Sequence, residues 1–418
     1  MDFTPDPVTE QLAGQLREFL DQHVYPAEPV LADQLAAAPD SWDPPPVIGQ
    51  LQAEARARGL WNLFLPPESG GRLTNLQYAP LAELTGRSPS LAPAALNCAA
   101  PDTGNMELLA RFGTGAQRER WLKPLLAAEI RSAFCMTEPD AASSDATNIA
   151  TRIEPDGDQW VINGRKWWSS GAMSSRCQLL IVMGKTDPGA DRHRQQSMVL
   201  VPRDTPGVAV RRSLAVIGYD DRAHGGHAEI DFTEVRVPAE NLLGGAGEGF
   251  AIAQARLGPG RIHHCMRQIG AAERALELMC ARAVDRSTFG RPLAEHGMVQ
   301  DWIAQSRVRI EQLRLLVLRT AWQIDTYGNR AAHRDVQAIK IAVPAGVEWI
   351  LDKAIQTHGG GGLSQDWPLA GLWSHARSLR LADGPDEVHK VSLARHELRP
   401  YRTAATGSAG RPGRAAVS

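Results

Sequence analysis

Cysteine is scarce in this chain, and neither sign of charge dominates. Five cysteines stand among 418 residues (Cys98, Cys135, Cys177, Cys265 and Cys280), an odd number with no C-x-x-C pair. A disulfide framework and a zinc site are therefore not expected, and a reducing, cytoplasmic location fits. The formal net charge is −2, with no basic arm. Nucleic acid and membrane surfaces drop out as main partners. No apolar run approaches the roughly 20 residues of a membrane span. The opening MDFTPDPVTE is acidic and has no apolar h-region, so it does not read as a signal peptide. The closing TAATGSAGRPGRAAVS is small and polar, and reads as a flexible tail over 403–418 with no prenylation or peroxisomal signal.

What is present is a soluble, globular composition, 43% apolar and 22% charged. The length calls for more than one core. Residues 1–130 read as an all-α domain: TEQLAGQLREFLDQHV places Leu12, Leu16, Phe19, Leu20 and Val24 on one helical face. Residues 131–246 read as an antiparallel sheet, with hairpin turns at Asp156-Gly157 and Asn163-Gly164. Residues 247–402 return to helical period as a bundle. Val299, Ile303, Ile310, Leu313, Val317, Ala321 and Ile324 form one stripe, and Pro344 is expected to kink a helix over 335–358. The order, helices then sheet then bundle, is α+β.

Five stretches carry residues suited to chemistry, and each has a plainer reading. THGGGGL (357–363) follows a helix, so it is not the strand–turn–helix dinucleotide fingerprint. It is either a flexible helix end or a place where a bulky ligand meets bare backbone. CMTEPDAASSDATN (135–148) is a solvated loop or a turn whose N–H groups hold an anion or a ring edge. RKWWSSG (165–171) puts Trp167 and Trp168 on opposite strand faces, one for the sheet and one free to cover an aromatic group. DRSTFGRPLAEH (285–296) offers Arg286 and Thr288 to a pyrophosphate, or Arg286 to a helix dipole. LADGPDEVHK (381–390) holds Asp383, Asp386 and Glu387. There Asp383 is the N-cap of the last helix, with Pro385 near N1, or a base. Adjacent His263 and His264 diverge on a helix, so no metal site is expected there.

In this order and spacing, CMTEPDAASSD, INGRKWWSS, DRSTFG, QTHGGGGL and LADGPDEVHK resemble the acyl-CoA dehydrogenase family, from about residue 10 to 402. RLGPGRIHHCMRQIG and ADGPDEVHK are similar to one branch, in which some members carry a kinase-like domain and handle 4-hydroxyacyl chains. No such domain is encoded in these residues. The resemblance implies an N-terminal helical domain, a middle β domain and a C-terminal four-helix bundle, with bound FAD. It places flavin contacts on Phe134, Met136, Thr137, Trp168, Ser170 and Glu387. Arg286, Thr288, Phe289, Gln356, Gly359 and Gly360 fall where the family meets the cofactor across a subunit boundary. Ser144, Arg261 and Gly384 fall on the substrate side. It implies a homodimer or homotetramer that uses an acyl-CoA substrate and an electron-transfer flavoprotein.

The resemblance puts the base on Asp383, which removes the α-proton while the β-hydrogen leaves as hydride. An oxyanion-hole pair, the Asp383 N–H and a flavin hydroxyl, polarises the thioester, and burial is expected to raise the Asp383 pKa. Four departures stand out. Aspartate replaces the family's glutamate and is shorter by one C–C bond, about 1.5 Å. Pro385-Asp386-Glu387 replaces Thr-Ser-Gln, Gly297 replaces glutamine in some members, and Gly260 stands where other members carry the base. Two rivals remain: a flavin oxidase of nitroalkane or acyl-CoA type, and a non-catalytic flavin-binding assembly protein in which Asp383 only caps a helix.

Overall fold

The computed structural model describes residues 4–408. Helices come first: α1 Pro7–Phe19, α2 Tyr25–Ala37, α3 Pro46–Ala57, α4 Asn75–Thr85, α5 Ala92–Ala95, α6 Asp102–Phe112, α7 Gly115–Gln117 and α8 Lys123–Leu126. Their starts are set locally. Asp6 accepts from the N–H groups of Val8 and Thr9 ahead of α1, and Thr74 and Gln77 close a reciprocal capping box on α4. The Leu12, Leu16 and Phe19 stripe is buried, and Leu20 and Val24 continue it through a π turn.

The strands follow: β1 Arg131–Cys135, β2 Arg152–Asp156, β3 Gln159–Ser170, β4 Cys177–Lys185, β5 Gln196–Pro202, β6 Val208–Ser213, β7 His227–Pro238 and β8 Leu242–Leu243. They form one sheet in the order β6-β7-β3-β2-β4-β5-β8, with β1 beside β4. Two expectations are corrected. The sheet is mixed, because β1 runs parallel to β4. Asp156-Gly157 does join β2 to β3, but Asn163-Gly164 is no hairpin. There β3 runs on through a bulge against β7. The Asn163 side chain donates to Glu234 Oε1 at 2.7 Å and accepts from the Glu234 N–H at 2.8 Å. A Cβ on Gly164 would lie 2.4 Å from Thr151 Oγ1. The glycine serves close packing rather than a turn.

Strand alternation sorts β4 between two cores. Leu179, Ile181 and Met183 join the helical core. Leu180 and Val182 face a second core with Ile153, Ile162 and Ile230. The first helices, one sheet face and the last helices thus share one interior.

The helical end comprises α9 Gly249–Asp285, α10 Gly297–Ala331, α11 His333–His358, α12 Leu369–Ser378 and α13 Asp386–Ser408. A small hairpin, β9 Ser287–Thr288 with β10 Arg291–Pro292, separates α9 from α10. On α10 the expected stripe is buried apart from half-buried Ile303. Helix α11 runs continuously through Pro344. A break in helical backbone geometry comes in α10, at Gly328 with φ +80°. Helix α13 runs to Ser408, within the expected tail, and residues 409–418 lie outside the described residues. No described helix is long and apolar enough to cross a membrane.

Candidate active site

Asp383 lies in the turn between α12 and α13 with φ +56°, a left-handed conformation that aspartate tolerates better than most residues. Its side chain is 16% exposed. It does not act as the cap that one reading assigned to it. No described hydrogen bond runs from the first N–H groups of α13 to its carboxylate. The carboxylate turns toward α9, where Oδ2 lies 3.6 Å from His264 Nε2. It is also 3.6 Å from the point a Cβ on Gly260 would occupy. Position 260 and the Asp383 carboxylate thus approach to ordinary van der Waals distance.

Charge around this carboxylate overturns the expected pKa rise. Burial pushes it up, but His264, Arg256, Lys340 and Arg261 more than offset that and hold it below the usual carboxylate range. Burial pushes His264 itself down to about 3. With His264 neutral above that value, the fixed positive charges facing Asp383 are the two arginines.

The same cations hold the turn by its carbonyls. Arg261 Nε donates to Asp383 O at 3.1 Å. Lys340 Nζ, fully buried, donates to Leu379 O and to Ala382 O, the latter at 2.8 Å. His389 Nε2 donates to Gly384 O at 3.0 Å. Arg380 donates to Asp386 Oδ2 at 2.8 Å and to Glu348 Oε2 at 3.0 Å. Gly384 has φ +102°, and a Cβ there would lie 3.1 Å from His389 Nε2. The Asp383 N–H enters no described backbone hydrogen bond.

Arg256 links this turn to the sheet. Its guanidinium stacks 4.1 Å from the Phe134 ring centroid, and Nε donates to Asn105 Oδ1 at 3.1 Å. Buried Glu107 is pushed by desolvation up to about 8, with Arg256 only partly offsetting that.

The end of β1 and the Trp167–Ser170 stretch are joined. Trp167 N donates to Thr137 O at 3.0 Å. Lys166 Nζ, also buried, donates to Met136 O at 2.9 Å and Glu138 Oε1 at 2.8 Å. Glu138 also accepts from the N–H groups of Ala150 and Thr151 and so anchors the loop that carries exposed Ser144. Trp167 is half-buried, whereas Trp168 is 41% exposed at φ +53°. The Trp168 and His227 rings lie 5.7 Å apart, and His227 in turn belongs to a group with Asp221, His224 and His375. His375 also lies within electrostatic reach of His264. Electrostatics thus relate the Asp383–His264 pair to the Asp221–His227 group through His375.

The remaining candidates lie elsewhere. Arg286 and Phe289 are exposed around the β9–β10 hairpin, with Thr288 half-buried. Gln356, Gly359 and Gly360 are exposed at the end of α11. Arg282 acts on His358, so these two sets share one end of the bundle. No described hydrogen bond or ion pair connects them to the Asp383 turn within one chain. Glu387 is exposed on α13, 4.0 Å from Lys390.

Sequence reasoning passed over Glu138, Lys166, Arg256, Glu107, Lys340 and Asp221. A local signal existed only for Asp221, in the turn-forming run YDDRAHGGH.

Family models of the acyl-CoA dehydrogenase N-terminal, middle and C-terminal domains match residues 6–129, 133–235 and 247–398. The chain belongs to the acyl-CoA dehydrogenase family. It is 58% identical to the "Probable acyl-CoA dehydrogenase FadE2" of Mycobacterium tuberculosis, over 95% of this chain and 97% of that one. It is 55% identical to acyl-CoA dehydrogenase family member 11 of Gallus gallus, over 93% of this chain and 50% of that one. The chain therefore spans about half the length of such vertebrate relatives. A solved structure from Mycobacterium abscessus described as an acyl-CoA dehydrogenase is 54% identical, with TM-score 0.91 over 95% of this chain and 100% of that one. A glutaryl-CoA dehydrogenase solved with glutaryl-CoA is 26% identical, with TM-score 0.81 over 96% and 97%. As a member of this family the chain is an oxidoreductase.

Proposed function

We propose that this protein converts an acyl-CoA thioester to the trans-2-enoyl-CoA, with Asp383 as the base that removes the α-proton. The observation that carries this is the Asp383 carboxylate, largely buried and turned toward α9, 3.6 Å from His264 Nε2, where His264, Arg256, Lys340 and Arg261 hold it below the usual carboxylate range. The solved relative holding glutaryl-CoA supports a thioester substrate.

FAD is the cofactor, and the residues present fit it. Trp168 presents a large, partly exposed ring. Trp167 Nε1 and His358 Nε2 are buried without a hydrogen-bond partner, and bare backbone at Gly359 and Gly360 faces open space. FAD, when bound, supplies an acceptor for the β-hydrogen and its electron pair. Phe134, Met136, Thr137, Trp168 and Ser170 hold the ring from one chain. Arg286, Thr288, Phe289, Gln356, Gly359 and Gly360 hold the remainder from a neighbouring copy, which accounts for their separation from the Asp383 turn in one chain. Glu387, although exposed here, stays in the flavin-contacting set.

Asp383 stays ionised because its cations oppose proton uptake, and it accepts the α-proton at a carboxylate oxygen. Its N–H donates to the thioester carbonyl, where negative charge develops. Arg261 fixes that N–H by gripping the Asp383 carbonyl, while Gly384 and Ser144 line the substrate's path. The assembly is a homodimer or homotetramer, an electron-transfer flavoprotein takes the electrons, and the working compartment is the cytoplasm. The three domains divide at 130 and 246.

The test is anaerobic titration with acyl-CoA, followed by flavin absorbance. Wild type bleaches, and nitroethane has no effect. Asp383→Asn keeps its flavin and does not bleach. Full bleaching of that variant rules out Asp383 as the base, and bleaching by nitroethane favours the oxidase reading.

A further inference from the structure

Ser170 is not isolated at the end of β3. It sits opposite His227 in the β3–β7 ladder, and its Oγ lies 2.9 Å from His227 Nδ1. The other ring nitrogen, His227 Nε2, lies 3.5 Å from Asp221 Oδ2. Asp221 Oδ1 in turn meets His224 Nδ1 at 2.7 Å. Asp221 holds this place from a left-handed backbone conformation, φ +53°. The loop it begins is packed hard against the end of β3. Gly171 N and Met173 N donate to Gly226 O and Gly225 O at 2.8 and 3.0 Å. A Cβ on Gly226 would lie 2.6 Å from the Trp42 ring. The row Asp221–His227–Ser170 is therefore a built arrangement, and the α-proton chemistry at Asp383 does not use it.

We propose that Asp221 and His227 form a positioning pair that sets whether the Ser170 hydroxyl donates to the bound flavin or accepts from it, and so couple flavin reduction to a proton on His227. The proposal rests on the reading that Ser170 contacts the flavin. Two arrangements are possible. With neutral His227, Nε2–H points at the Asp221 carboxylate, Nδ1 accepts from Ser170 O–H, and Ser170 can only accept from the flavin. With protonated His227, Nδ1–H donates to Ser170 Oγ and frees the hydroxyl proton for the flavin. An oxidised isoalloxazine offers ring-nitrogen acceptors along its edge, whereas the reduced ring carries additional N–H. Oxidised flavin therefore favours the protonated histidine. Two-electron reduction favours the neutral one, and the Nδ1 proton leaves to solvent.

The groups facing His227 set where this happens. Burial lowers its pKa below 6.5, Asp221 opposes that, and His224 adds to it. His375 on α12 faces the same group, and Ser170 and Trp168 complete its surroundings. Asp221 is itself held low by His224, His227 and His375, which outweigh its burial.

The experiment is the flavin midpoint potential of the holoprotein, measured from pH 5 to 8 by spectroelectrochemistry. No substrate is added, so the outcome does not depend on acyl-CoA turnover. Wild type is expected to show a window around or below pH 6.5 where the slope flattens by one proton per two electrons. His227→Gln and Asp221→Asn lose that window while keeping bound flavin, Ser170→Ala loses it in whatever flavin-loaded fraction remains, and Ser170→Thr retains it. An unflattened wild-type slope overturns the pair, as does flattening that survives in His227→Gln. Purified protein with no flavin spectrum overturns the cofactor reading, and the pair falls with it.

Discussion

Asp383 is shorter than the glutamate of the family pattern, and its surroundings do more than accommodate it. Gly260 lies beside its carboxylate, and His264, Arg256, Lys340 and Arg261 supply the charge. Because its folded pKa is depressed, the base stays ionised as pH falls, until the pH reaches that lowered value. The acid limb of kcat/KM is therefore expected below the ordinary aspartate value of 3.8, and an acid limb near 6 would show that burial wins. Glu107 has the opposite sign. Its pKa is raised from 4.5 to about 8, so the folded state binds the extra proton between those values. Below 4.5 there is no penalty, and stability falls as pH rises toward 8. Glu107→Gln should raise Tm at pH 8 and leave it nearly unchanged at pH 5, as thermal unfolding at the two values will show.

The turn from Leu379 to Asp386 is the element on which the site depends. It is held by long side chains from α9, α11 and α13 gripping its carbonyls. Gly384 is its most constrained position, because φ +102° and the nearby His389 ring both disfavour a side chain. Gly384→Ala should cost about 1–3 kcal/mol in urea unfolding, and activity should fall with the displaced Asp383. An unaffected unfolding midpoint would mean that the turn is not strained. Elements of this kind were unequally legible in the sequence. The α10 stripe was readable because a 3.6-residue period is local information. Asn163-Gly164 was misread because a bulge and a hairpin share the same turn-prone pair, and the choice depends on Glu234 and Thr151, far away in sequence. The Lys166–Glu138 and Arg256–Asn105 contacts had no local signal, since each forms only when distant segments pack. The fall in the Asp383 pKa was missed for the same reason: the cations come from α9 and α11.

On the scale of the whole molecule, the proposed function gives one chain two half-sites. The Asp383 turn is held by α9, α11 and α13, and no described hydrogen bond or ion pair joins it to the Arg286 and Gly359 sets. The family and its layers were legible from the order of motifs, because that order spans the chain. The division between copies was implied by the resemblance alone, because no single-chain pattern encodes it. Phe289 marks the second half-site. It is 95% exposed, an unusual position for a large aromatic group unless a partner covers it. Phe289→Asp should shift the protein to smaller species in analytical ultracentrifugation and lower the flavin bound per chain. Unchanged assembly with full flavin content would place the interface elsewhere.

The central claim, that Asp383 takes the α-proton, is tested most directly by proton exchange without oxidation. A 3-thia-acyl-CoA has sulfur in place of the β-carbon and cannot complete the dehydrogenation, yet it keeps its α-hydrogens. In D2O, wild-type holoprotein should exchange those hydrogens, as followed by NMR. Asp383→Asn, with flavin still bound, should slow the exchange by about 10²–10⁴-fold. Exchange by that variant at the wild-type rate would contradict the account.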